Sequence, residues 1–340
     1  MSESAYDAIL VVSFGGPEGP DDVLPFLENV LRGKNVPRAR LLEVAEHYQH
    51  FGGISPINAQ NRALIAALQR ELDEHGPQLP IYWGNRNWRP YLTDVVREMA
   101  AQGVRRALAY VTSAYSSYSG CRQYREDLLR AQAAVGRAAP QIDKIRVFFN
   151  HPEFIAAAAE RVAAALAQIP AADRAAAPLL FTAHSIPQAM ASGCDYELQL
   201  RETCRLVCER LGREAWSLVF QSRSGPPTQP WLEPDIGDAL RAVAAAGKSQ
   251  WVVVSPIGFL SDHVEVLFDL DTEAQAIAAE LGLRMIRAET VGQHPRFVAM
   301  IRELIQERLD PAVPRRAIGR FGPRNNACAA DCCLSGRPPT

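Results

Sequence analysis

The chain has 340 residues, 48% of them hydrophobic and 22% charged, with a formal net charge of -2. That is enough to bury a large core, as one large domain or two medium ones. It carries no basic arm of the kind that binds nucleic acid and no apolar run long enough to span a bilayer.

The opening segment, MSESAYDAILVVSFGG, has no basic start, and its apolar run ends at Gly15-Gly16-Pro17. It does not read as a secretory leader, so a cytoplasmic protein is expected. Seven cysteines, an odd number in a chain of this size, argue against a disulfide framework.

Along the chain, apolar runs rich in β-formers alternate with segments of helical period. The runs are AILVVSF, PIYWG, RALAYVTSA, KIRVFF, PLLFTAH, SLVFQS and WVVVSPIGF. The helical segments include NRALIAALQRELDEH, FIAAAAERVAAALAQI and RFVAMIRELIQERL. This alternation predicts an α/β fold with mainly parallel sheets flanked by helices.

The two halves echo each other. AILVVSFGG pairs with PLLFTAHSIP, IYWGNRNWRP with LVFQSRSGPPTQPWLEP, and RRALAYVTSAYSS with SQWVVVSPIGFLSDH. Two similar lobes explain the echo, with a boundary near 150: residues 1–150, then 151–312. In such folds the ligand lies beyond the carboxyl ends of the strands, where every unusual loop of this sequence falls. Residues 313–340 are rich in Pro, Gly, Arg and Cys and read as an irregular appendage.

The stretch SDHVEVLFDLDTE, from Ser261 to Glu273, has helical propensity but five acids and a histidine. Glu265, Asp269 and Glu273 fall at i, i+4 and i+8, one row on one helix face. Like charges at that spacing cost a few tenths of a kcal/mol per pair, roughly, which a divalent cation would offset. A solvated acidic face at a helix N-terminus explains the row without a ligand. His184 ends another strand, in PLLFTAHSIP, where a neutral imidazole suits proton acceptance or metal ligation. A satisfied structural histidine is the plainer alternative. If they are functional, His184 and Glu265 are expected to face each other from opposite rims of a cleft.

HSIP after an apolar strand, then QSRSGPPTQPWLEP, then PIGFLSDHVEVLFDLD, resemble ferrochelatases in order and separation. SFGGPEGPDDVLPFL is similar to that family's opening strand-loop-helix, HYQHFGGISPIN to its porphyrin-contacting loop, and GNRNWRP to its second such loop. The resemblance covers about residues 7 to 310. It implies two Rossmann-like, chelatase-type lobes with a porphyrin cleft between them, and an enzyme that inserts ferrous iron into a porphyrin to make haem. His184 and Glu265 correspond to the insertion centre, and Asp269 and Glu273 to a trail of acids leading away from it. His184 either accepts a proton or binds iron, and Glu265 takes the complementary part. Tyr48, Ser55, Arg32 and Tyr124 are implied to contact the macrocycle or its propionates, with Arg86 in support. Where some relatives carry Tyr or Met near the iron, this chain has Phe14, which cannot ligate a metal and is expected to act as a wall.

Cys328-x3-Cys332-Cys333 resembles the C-terminal pattern of ferrochelatases that carry a [2Fe–2S] cluster, with Cys121 in YSGCRQY as the upstream fourth ligand. Zinc, or chance thiols in an irregular tail, are the alternatives. Cys194, Cys204 and Cys208 read as structural. SFGGPEGPDDV, SAYSSYSGCRQYRED and the tail motif look most like actinobacterial-type enzymes, for which coproporphyrin III is the usual substrate. Protoporphyrin IX is the alternative. A sirohydrochlorin chelatase and a non-catalytic tetrapyrrole or iron carrier are further readings, disfavoured respectively by the acid row and by the presence of both His184 and Glu265. The implied partners are porphyrin, ferrous iron and neighbouring haem-pathway enzymes. Membrane contact is expected to be transient at most.

Overall fold

Strand β1 (Ala8–Ser13) is buried at all six positions, the reason its sequence is an unbroken apolar run. The computed structural model describes residues 6–33, 36–226 and 228–336, so the first five residues of the opening segment and the last four of the tail lie outside it. β1 pairs in parallel with β2 (Ile81–Asn85) and β3 (Arg106–Val111), and β3 with β4 (Gln141–Lys144). A second parallel sheet holds β5 (Leu179–His184), β6 (Ser217–Gln221), β7 (Trp251–Ser255) and β8 (Arg284–Arg287). The orders are β2-β1-β3-β4 and β6-β5-β7-β8. The two sheets therefore share one topology, and the three paired segments of the sequence occupy equivalent strands.

One expected strand is shorter than its apolar pattern. KIRVFF leaves the sheet after Lys144, and Ile145 to Phe149 are buried as an irregular link between the two sheets. Their apolar character serves a shared core rather than a sheet face. That core joins Ile9 and Tyr110 of the first sheet to Phe181 and Val253 of the second. Helix Pro152–Ala167 runs through it, with Ala156 to Ala159 all buried. Alanine on every face lets a helix be enclosed all round without displacing its neighbours. Helix Pro295–Leu309 packs beside it.

A buried ion pair joins that last helix to the link. Arg146 Nε donates to Glu307 Oε1 at 2.7 Å, its Nη2 to Oε2 at 3.1 Å, and its Nη2 also to the Arg316 carbonyl at 2.9 Å. Both side chains are almost wholly excluded from solvent. Such a pair adds little over a well-packed apolar substitute, but removing one partner strands the other charge. Glu307→Ala should cost about 3–5 kcal/mol of stability, read as a lowered denaturant midpoint. A loss below about 1 kcal/mol would show that Arg146 finds water.

Candidate active site

β5 and β7 are parallel neighbours, so the chain leaves both at the same edge of the second sheet. His184 is the last residue of β5. After β7 the chain must pass close against β5, and Gly258 permits it. A Cβ there would lie 2.6 Å from Ala183 Cβ and 2.7 Å from Ala183 Cα, inside van der Waals contact. The Gly258 N–H donates to the Thr182 carbonyl at 3.0 Å, fastening the loop beside His184.

The helix that follows starts at Val264, with the Nδ1 of His263 accepting the Val266 N–H at 3.4 Å as an N-cap. It widens into a π-helix over Leu267–Ala274 before continuing as Gln275–Glu280. A regular α-helix was the sequence expectation; the wide turn is a local geometry that apolar periodicity does not encode, and such turns concentrate at functional sites. Val264, Val266, Leu270 and Ala274 are buried on its inner side, Asp269 is half-buried, and Glu265 and Glu273 are exposed.

His184 Nδ1 faces the Ser185 carbonyl at 2.5 Å, and since a carbonyl only accepts, the proton sits on Nδ1. Nε2 is thereby turned toward Glu265 Oε1, 3.7 Å away. The two side chains are thus in direct charge contact on one wall, not on opposite rims as the sequence suggested. The reason is that β5 and β7 are adjacent in one sheet. Burial pushes the His184 pKa down, but the Glu265 charge and hydrogen bond outweigh it and lift it to about 8. Although the Glu265 side chain is 45% exposed, the protein surrounding it pushes its pKa up, yet the charge of His184, with its hydrogen bond, holds it down at about 2. Asp269 is pushed up to about 7 by burial and then by the Glu265 charge. Its Oδ2 accepts from Ser222 Oγ and, at 3.2 Å, from Gln221 Nε2.

The facing wall comes from the first sheet's loops. Phe14, at the end of β1, meets Phe26 edge-on at 6.3 Å, and Tyr48 packs on Phe26 at 5.8 Å. The pKa of Tyr48 is pushed up by burial and by the Glu265 charge. Ser55 is buried, its N–H donating to the Pro17 carbonyl at 2.9 Å. The loop before it needs Gly53, whose φ is +74° and where a Cβ would sit 2.5 Å from Pro20 Cα. Arg86 lies over Tyr124 at 4.8 Å and over Phe14 at 5.7 Å, and pairs with Asp127 at 3.1 Å. Tyr124 is buried beneath it, and Arg32 is exposed just past the first helix. At one lip the walls touch: His47 stacks on Phe268 with ring centroids 3.6 Å apart.

The ferrochelatase family model matches residues 6–309. This chain belongs to the ferrochelatase family. Its curated relatives include a ferrochelatase of Rhodopirellula baltica, 59% identical over 100% of this chain and 97% of the relative. Another is a coproporphyrin III ferrochelatase of Frankia alni, 56% identical over 98% and 88%. Among solved structures, SirB of Bacillus subtilis aligns at a TM-score of 0.56 and 12% identity over 89% of this chain and 95% of that one. CbiX, from sirohaem biosynthesis in denitrifying bacteria, aligns at 0.53 and 17% over 89% and 100%. At these identities the two structures speak for the chelatase-type fold alone. No helix among the described residues is long and apolar enough to cross a membrane.

The ferrochelatase tail meets the body at Cys121. That thiol is hydrogen-bonded to Cys328, Cys328 contacts Cys332, and Cys332 and Cys333 have their sulfurs 3.4 Å apart. The bond from Cys121 draws the Cys328 pKa down to about 7. Arg122 donates to the Ala330 and Cys332 carbonyls at 2.7 and 3.0 Å, and Arg125 to those of Cys328 and Ala329. Cys121 itself lies in a π-helix, Tyr118–Arg122, after β3, the position equivalent to the acid-bearing π-helix after β7. No three His, Cys, Asp or Glu side chains among the described residues form a closed metal shell. The described cysteines are all free thiols.

Sequence reasoning gave no role to Gln221, Ser222, Tyr196 or His47. The hydroxyl of Tyr196 donates to the His184 carbonyl at 3.1 Å. Gln221 had a usable signal, since it ends β6 as His184 ends β5, but the pairing is visible only once the strand order is known.

The His184–Glu265 contact has a pH signature. The folded pKa of His184 is raised above its ordinary 6.5, so the pair's stabilisation is complete below that value and lost as pH rises through about 8. On the acid side the Glu265 pKa is lowered from its ordinary 4.5, so the contribution is present above that and fades toward pH 2. Histidine NMR titration of the protein without substrates should place His184 near 8, and Glu265→Gln should lower it markedly, because burial is then opposed only by the Ser185 carbonyl and the Asp269 charge. An unchanged midpoint in the variant would contradict the assignment.

Proposed function

We propose that this ferrochelatase inserts ferrous iron into coproporphyrin III, with His184 and Glu265 at the insertion centre. The observation that carries the reading is the 3.7 Å imidazole–carboxylate contact facing an aromatic wall. The named relatives support the choice of porphyrin, several of them being coproporphyrin III ferrochelatases about half identical over nearly the whole chain. Protoporphyrin IX is the competing substrate in the test below. We take residues 1–150 and 151–312 as the two lobes and 313–340 as the tail, in a cytoplasmic protein.

Metallation must remove two pyrrole protons and strip water from the cation. Without substrates, His184 is held protonated by Glu265 near neutral pH. A dication arriving at Glu265 cancels the charge that holds the proton. Burial then favours the neutral imidazole, and Nε2 becomes a base. Metal arrival and base activation are thereby one event. Asp269, with a pKa about one unit lower, is placed to pass a proton toward Glu273 and solvent. Phe14 and Tyr48 form the macrocycle's facing wall, Phe14 as an apolar surface without a metal ligand, with the buried Ser55 and Tyr124 supporting it from behind. The exposed Arg32 is available for a propionate. A ring bent against that wall would turn its nitrogen lone pairs toward the cation, the strain being offset by remote contacts.

The tail is read as the seat of a [2Fe–2S] cluster on Cys121, Cys328, Cys332 and Cys333. Support comes from the chain of contacting thiols and from the positive charge gathered there. Arg122 and Arg125 grip the tail, and the Cys328 thiol is lowered to about 7 by the bond from Cys121, with Lys144 adding to it, while that same bond and burial push Cys121 up. Four thiolates around two irons form an anionic group, and such a setting favours it. When bound, the cluster supplies a redox-active crosslink between the tail and the body.

Anaerobic assays with ferrous iron should give faster metallation of coproporphyrin III than of protoporphyrin IX. The reverse order would reassign the substrate. His184→Ala should reduce turnover by at least about 100-fold while porphyrin still binds, as spectral titration would read. Cys332→Ser should remove the visible absorption of anaerobically purified protein. A colourless wild type would dismiss the cluster.

A further inference from the structure

We propose that Arg287 is a positioning residue for metallation, its guanidinium fork holding both ends of the segment that carries Glu265; this rests on the reading of Glu265 above. The stretch from Ser261 to Glu273 has five acids, and only Glu265, Asp269 and Glu273 fall in the row that faces the site. The other two, Asp262 and Asp271, meet at one cation. Arg287 Nη1 donates to Asp262 Oδ1 at 3.1 Å and Nη2 to Asp262 Oδ2 at 3.4 Å, while Nε donates to Asp271 Oδ1 at 2.6 Å. Asp262 precedes Glu265 and Asp271 follows it, so one planar group spans the turn on which the acid stands. The Arg287 side chain is 15% exposed, too enclosed for this to be one of the weak bridges of an open surface.

The base of the fork is fixed. Arg287 ends β8 opposite Val254 of β7, and the Ala288 N–H carries the ladder on to the Val254 carbonyl at 2.8 Å. The Gly292 N–H donates to the Leu260 carbonyl at 2.9 Å, tying the loop after β8 to the loop that leads into Asp262. The Asp262 N–H in turn donates to Gln60 Oε1 at 2.8 Å, on the helix Ile57–His75 of the first half. The clamp therefore has a foot in each wall. Val264, Val266, Leu270 and Ala274 press the acid helix against its sheet, but hydrophobic packing is non-directional. Directed bonds before and after Glu265 are what resist rotation and sliding of the helix. Those two motions set the 3.7 Å distance from Glu265 to His184. A misplacement of about 1 Å in a reacting constellation can cost about 100-fold in rate. The fork also matches the charge of the two acids outside the row and leaves the row itself free. A lysine in its place would be a point charge without the planar fork.

The test uses the full chain as purified, with Arg287→Met, Arg287→Lys and Asp271→Ala. Three quantities are read: kcat for metallation, porphyrin Kd by spectral titration, and hydrogen exchange followed by mass spectrometry. Arg287→Met should lower kcat by about 10–100-fold with porphyrin Kd changed by less than about twofold. Exchange should quicken over residues 262–274 and stay as in the wild type in the helix Pro295–Leu309. Arg287→Lys, which keeps the charge and loses the fork, should remain at least about fivefold slow. Asp271→Ala opens one arm at the more exposed end, so it serves if Arg287→Met fails to fold; it should lower kcat by about three- to tenfold with the same confined exchange. Wild-type kcat in Arg287→Lys or Asp271→Ala overturns the proposal. So does a fall in kcat matched by lost porphyrin binding and by faster exchange throughout the chain, the mark of an ion pair that only stabilises the fold. If the wild type metallates no porphyrin, the reading of Glu265 fails, and the exchange pattern over 262–274 still judges the clamp by itself.

Discussion

The adjacency of β5 and β7 in one parallel sheet is the constraint on which the site depends. It brings a histidine at one strand end and an acid just beyond another to 3.7 Å, with no need for the lobes to close. Each group sets the protonation of the other: the imidazole is held charged and the carboxylate ionised, against the burial that opposes both. In an electrostatic pair of this kind, a change in the charge of one group shifts the protonation of the other.

The second sheet supplies polarity and the first supplies surface. His184, Glu265, Asp269, Gln221 and Ser222 all belong to the β5–β8 half, whereas Phe14, Phe26, Tyr48 and Trp88 belong to the β1–β4 half. A flat apolar macrocycle with charged edges needs this division: one wall to lie against and one wall to react with. The walls are held in register by buried polar contacts across the molecule. Tyr115 OH donates to the Ile257 carbonyl at 2.9 Å. The Ser116 N–H donates to Gln199 Oε1 at 2.8 Å, and Gln199 returns a bond to Ser116 Oγ at 2.9 Å. Asp262 N–H reaches Gln60 at 2.8 Å nearer the cleft. Each of these would be left unsatisfied by sliding the lobes, which makes the slot's width a specified quantity.

The tail reaches the same machinery by another route. Arg324 pairs with Asp195 and the Arg320 N–H with Glu202, so the tail grips the helix Tyr196–Arg210. The first residue of that helix donates to the His184 carbonyl. The cysteines at 328–333 and the His184–Glu265 pair are therefore joined by one continuous set of packed elements.

By itself, the sequence determined the α/β class, the doubling of the strand pattern and the chemical types at the strand ends. These follow from local rules: buried parallel strands must be apolar throughout, and helices must show a 3.6-residue period. The motifs around His184 and Glu265 were legible for the same reason, being contiguous in the chain. Tertiary structure decided what depends on contacts between distant residues. It set His184 against Glu265 on one wall and Gln221 beside Asp269, and it brought Cys121 to a tail more than two hundred residues away. It also widened the acid helix into a π-turn and ended β4 at Lys144, where the shared core outcompetes the sheet. Strand order and helix widening are set by packing energy summed over many residues, and no short stretch of sequence contains that sum.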